Sequence, residues 1–103
     1  MIDKTEFQIL CIEKCRKLLS KYLKDDIEFV KEGKNEYYYH AKINLTNISI
    51  DIYIYEDEAG FAFNKKDWRI FEQPDYKSDN LLITAFLENL EYTVQTILAK
   101  KAT

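Results

Sequence analysis

Apolar and polar positions alternate strictly through the middle of the chain. Ile48, Ile50, Ile52 and Ile54 interleave with Ser49, Asp51, Tyr53 and Tyr55, the period-two pattern of a strand with one buried and one partly wet face. Upstream, Tyr37, Tyr39, Ala41, Ile43 and Leu45 interleave with Tyr38, His40, Lys42 and Asn44. Only Thr46-Asn47 separates the two runs, so the spacing predicts a tight hairpin.

On either side the period changes to that of a helix. Phe7, Leu10, Cys11, Leu18, Leu19 and Tyr22 recur at three- and four-residue spacings between an Asp3 or Thr5 cap and about Lys24, with Lys14, Arg16, Lys17 and Lys21 mostly elsewhere. This predicts a first helix with a basic outer side, and Asp3 with Glu6 has the spacing of a capping box. Near the C-terminus, Leu82, Ala85, Phe86, Leu90, Val94, Ile97 and Leu98 form one broad stripe widened by Ile83 and Leu87. A second helix is expected there, capped by Ser78 or Asp79 and closed by Lys100 and Lys101.

Shorter signals fill the intervals. Residues 27–31 read as a first, edge strand, followed by a Gly33-Lys34-Asn35 turn. Glu56 to Gly60 reads as a loop in which Gly60 takes positive φ, followed by a strand with Phe61 and Phe63 inward. Asn64 to Asp67 reads as a turn, and Trp68 to Phe71 as a fifth strand or a bulged continuation of the fourth. The expected fold is therefore α+β: an antiparallel meander of four to five strands between an N-terminal and a C-terminal helix, both on one sheet face. Which face the helices cover is left open by the alternation alone.

Composition agrees with one compact domain spanning residues 1–103, 47% hydrophobic and 32% charged with only two Gly and one Pro. The net charge of −3 argues against a protein devoted to neutralising phosphates. No run is long and apolar enough to span a bilayer, and Met1 to Phe7 lacks a basic region followed by an apolar one. A cytoplasmic protein with no membrane contact is expected. Cys11 and Cys15, four residues apart in the first helix, are expected to be reduced packing residues.

The chemistry-bearing residues do not assemble into a recognisable catalytic set. His40 is the sole histidine, which leaves no multi-histidine metal site and one ring for any triad. Glu56, Asp57 and Glu58 are acidic but lack the oxygen spacing of a calcium loop, and the two glycines are too far apart for a phosphate loop. No metal, cofactor or enzymatic activity is expected.

The aromatics carry more information. With both helices on the isoleucine face, Tyr38, His40, Tyr53, Tyr55 and Arg69 gather on the opposite face beside Asp51. Tyrosine with arginine is the composition of protein–protein hot spots. The expected function is a small protein-binding module, an inhibitor or adaptor of the immunity, antitoxin or defence-blocking type. It would occlude a partner protein through Tyr38, His40, Tyr53, Tyr55 and Arg69, with Asp51, Glu56, Asp57 and Glu58 setting electrostatic register. Self-association is compatible with it. The competing classes are a small-ligand binder or enzyme with a site at a dimer interface, and a single-stranded nucleic-acid binder stacking bases on the tyrosines. The simplest alternative is that tyrosine is only a good strand former.

Overall fold

The computed structural model describes residues 4–23, 26–43 and 46–102. Helix α1 spans Glu6–Leu19, strands β1 to β5 span Val30–Glu32, Glu36–Lys42, Ser49–Ile54, Glu58–Phe63 and Lys66–Glu72, and helix α2 spans Asp79–Ala102. The strands form one antiparallel sheet in chain order, β1-β2-β3-β4-β5. This is the expected α+β meander with five strands.

The isoleucine face is the one the helices cover. Ile50, Ile52 and Ile54 join Tyr37, Tyr39, Phe61 and Phe71 in a core closed by Cys11, Leu19, Phe86 and Leu90 from the helices. Phe61, Phe71 and Phe86 interlock there at centroid separations of 5.7–6.2 Å, in tilted and offset arrangements that aromatic quadrupoles favour. Cys11 and Cys15 are free thiols fully inside this core.

Local chemistry sets the element ends. Thr5 caps α1 by accepting from the Gln8 N–H, and the Gln8 amide oxygen accepts from the Thr5 N–H, so the capping box is Thr5 with Gln8. Asp3 lies outside the described residues. The helix ends at Leu19 in a short turn, before the anticipated Lys24, which is likewise outside them. Gln8 is buried, and its amide nitrogen donates to the carbonyls of Asn35 and Ile54, tying α1 to the sheet. Ser78 caps α2 by accepting from the Leu81 N–H.

Two turns and one strand boundary depart from expectation. The β2–β3 connection is not a two-residue Thr46-Asn47 turn, which would set Lys42 opposite Asp51. Lys42 instead pairs with Ser49 and His40 with Asp51, and the Ile43 N–H donates to the Ile48 carbonyl. An even register offset keeps the same side chains inward, so the pattern could not report it. Asn44 and Leu45 lie outside the described residues. Gly60 is not a loop glycine either: it sits inside β4, paired with Tyr53 and Ile70, and Gly33 is the glycine at positive φ. Finally, β1 begins at Val30, leaving Ile27 in the core as an irregular approach to the sheet.

Between β4 and β5, Asn64 and Lys65 both have positive φ, the requirement of a type I′ hairpin turn. A bulge follows. The register shifts between the Phe61 and Phe63 pairs, with Asp67 at φ 55°. Beyond the bulge Trp68, Ile70 and Glu72 face away from the helices while Arg69 and Phe71 face them. The sheet edges are a three-residue strand and a bulged, charge-studded one, both devices that discourage strand addition.

Candidate functional site

The uncovered sheet face is organised in rows across the strands. A central row runs Val30, Tyr38, Tyr53, Gly60, Ile70. A second row holds His40, Asp51 and Ala62. Towards the β3–β4 turn, Glu32 pairs with Glu36 and Glu58 with Glu72, while the Tyr55 N–H donates to the Glu58 carbonyl. Val30, Tyr55, Trp68 and Ile70 are exposed, between 37% and 59% accessible.

Tyr53 is the pivot of the aromatic group. Its ring lies over Gly60, where a Cβ would come within 2.6 Å of Cε1 and 2.9 Å of Cζ and the hydroxyl. The glycine is therefore needed for close approach, as is typical of glycine inside a strand. The Tyr53 hydroxyl donates to Glu58 Oε2 at 2.9 Å. Tyr55 stands against the ring at 5.1 Å and 65°, Trp68 at 5.5 Å and 51°. Burial, then the Glu58 hydrogen bond and the nearby Glu58, Tyr55 and Glu72 charges, push the Tyr53 phenol well up. A Glu36 hydrogen bond does the same for Tyr55.

Beside it lies a polar cluster. Asp51 is fully buried, its Oδ1 accepting from the Tyr38 hydroxyl and contacting His40 Nδ1 at 2.6 Å. Its Oδ2 is buried with no hydrogen-bond partner among the described residues. Burial and the Asp51 carboxylate push the Tyr38 phenol up to about 12.

Two anticipated contact residues are placed differently. Arg69 is not on the open face: it registers with Phe61 on the helix side, and its guanidinium donates to Asn89 of α2. It alternates with Trp68 and Ile70, so only one of the two sets can face outward. Asp51 is on the open face but beneath its neighbours, so it orders Tyr38 and His40 and cannot itself meet a partner. Tyr38, His40, Tyr53 and Tyr55 do share the face, with Glu58 at its edge and Glu56 and Asp57 exposed in the turn. The residues that sequence reasoning missed are Trp68, Ile70, Glu36 and Glu72.

No known protein-family model, characterised protein or solved structure shows significant similarity to this chain. The site's own geometry has to carry the functional reading. Among the described residues no group of three or more His, Cys, Asp or Glu side chains is placed to hold a metal ion, and none of their helices is long and apolar enough to cross a membrane.

Proposed function

We propose that this protein is a small protein-binding module, an inhibitor or adaptor that works by occluding a partner with its open sheet face. The observation that carries the reading is the one-sided packing: both helices cover the isoleucine face, and Val30, Tyr55, Trp68 and Ile70 are left solvent-exposed together on the other. An aromatic-rich centre with a charged rim has the anatomy of a recognition surface. The blunted edge strands favour use of the face over strand addition. The glutamates around it favour a basic partner and disfavour a polyanion.

The test is affinity capture from native lysate, with nuclease present, comparing wild type with a folded Tyr55→Ala/Trp68→Ala variant. A nuclease-resistant protein retained by wild type and lost by the variant supports the reading. Equal retention by both refutes it.

One observation favours a second reading. A buried carboxylate that holds His40 by Nδ1 orients the ring as general bases are oriented, the arrangement expected if the chain acted on a small ligand. His40→Ala tests the second: a reaction catalysed by wild type and lost in the folded variant supports it.

A further inference from the structure

The glutamates on the open face are arranged against the interests of the fold. Glu32 faces Glu36 directly across β1 and β2, and Glu58 faces Glu72 directly across β4 and β5. Like charges directly opposite in an antiparallel pair are destabilising. Neither pair has a salt-bridging Lys or Arg among the described residues; the Lys21–Glu91 ion pair lies on the helices. Arg69, the cation closest in sequence to Glu72, is turned to the far side of the sheet and donates to Asn89.

Tyr55 stands level with the two pairs, and two further rings follow along the strands, Tyr53 in the next row and Trp68 beyond it. Tyr53 forms a floor on Gly60, and Tyr55 and Trp68 rise from it at 65° and 51°. Glu58 anchors the floor through the Tyr53 hydroxyl, and the nearby Glu36 carboxylate pushes the Tyr55 phenol up. Ring faces carry negative electrostatic potential, and inclined rings beside carboxylates are how proteins hold organic cations.

We infer that the Tyr53, Tyr55 and Trp68 rings with Glu36, Glu58 and Glu72 form an acid-lined aromatic cage that receives a guanidinium or ammonium side chain from the partner protein. The cage rests on the protein-binding reading and names the chemistry it recognises. The cation would lie among the Tyr53, Tyr55 and Trp68 rings, where its charge would offset the Glu58 and Glu72 pair. Lys42, the cation of this face, lies beyond the Asp51 row, opposite Ser49, so the cage is open to a partner's charge.

Trp68 is the sole tryptophan, so its fluorescence reports on the cage directly. The probe is a capped glycyl-arginyl-glycine peptide, with the uncharged citrulline peptide as control. The arginine peptide should shift Trp68 emission saturably, with a Kd on the order of millimolar for one side chain, and the citrulline peptide should bind at least ~5-fold more weakly. Tyr55→Leu, which keeps every glutamate, should weaken arginine binding by about 3-fold or more, and Glu58→Gln should weaken it also. Equal response to the two peptides, unchanged binding by folded Tyr55→Leu, or no response at all overturns the cage. If the peptide fails while lysate capture through the face succeeds, the cage is wrong and the interface stands. If the peptide binds while nothing is captured, the cage stands and the occlusion reading falls.

Discussion

Replacing Gly60 by alanine tests whether the floor of the aromatic group is built as described. Gly60 has no positive φ and lies within β4, so loss of unfolded-chain freedom alone would make alanine stabilising by ~0.4–1 kcal/mol. The new methyl, however, would meet the Tyr53 ring at 2.6 Å. That ring is wedged between Tyr55 and Trp68 and bonded to Glu58, so it has to leave as a unit. Overpacking of this kind costs ~1–3 kcal/mol, and the displaced hydroxyl loses a bond to a charged group worth ~1.5 kcal/mol or more. Gly60→Ala should therefore destabilise by ~2 kcal/mol net, read as a lower urea midpoint at unchanged m-value. In a Tyr53→Ala background the same change meets no ring and should be neutral to stabilising, giving a coupling of ~2–3 kcal/mol in the double-mutant cycle. A neutral or stabilising Gly60→Ala in the wild type, or additivity in the cycle, would refute the geometry.

Other perturbations have equally definite outcomes. Glu72→Gln should raise stability by ~0.2–1 kcal/mol by removing one like-charge pair, yet weaken binding of the arginine peptide; calorimetry with the peptide titration reads both. Lys65→Gly should raise the melting temperature, since glycine relieves ~1 kcal/mol at a position with φ 59°. Tyr38 has its phenol raised from 10 to about 12, so the fold favours the neutral form: that stabilisation is intact below pH 10 and is lost as pH rises towards 12. Asp51→Asn should move the Tyr38 titration, followed by tyrosinate absorbance, back towards its ordinary value. Cys11 and Cys15, with burial pushing the first up to about 12 and the second well up, should resist alkylation in the folded protein and react on unfolding.

Much of this structure was legible in the residues because periodicity survives independently of detail. The leucine and phenylalanine stripe identifies the inward face of the second helix, the isoleucine run shows that the sheet faces differ without saying which the helices cover, and the meander follows from how little chain lies between strands. What escaped has a physical reason in each case. The β2–β3 register differs from the tight-turn expectation by an even offset, to which alternation is blind. Gly60 resembled a loop glycine because it follows three acids, whereas its role depends on a ring seven residues earlier in the sequence. Arg69 is expected on the open face but alternates with Trp68 and Ile70, which take that face, so the arginine lies on the helix side, still exposed and donating to Asn89. Gln8 carried a readable sign, since it shares the helical stripe of Cys11, Ile12 and Cys15, although its carbonyl partners lie far along the chain.

In the proposed function the open sheet face, and not the helical side, meets the partner. Among the described residues the exposed large apolar side chains divide cleanly between the two: Val30, Tyr55, Trp68 and Ile70 on the sheet, and Ile9, Leu81 and Tyr92 on the helices. The most direct measurement is the affinity of the captured partner for folded single alanine variants of both sets. Losses of about 10-fold or more at Tyr55 and Trp68, with wild-type affinity at Ile9, Leu81 and Tyr92, are the result predicted. Losses confined to the helical set would contradict it.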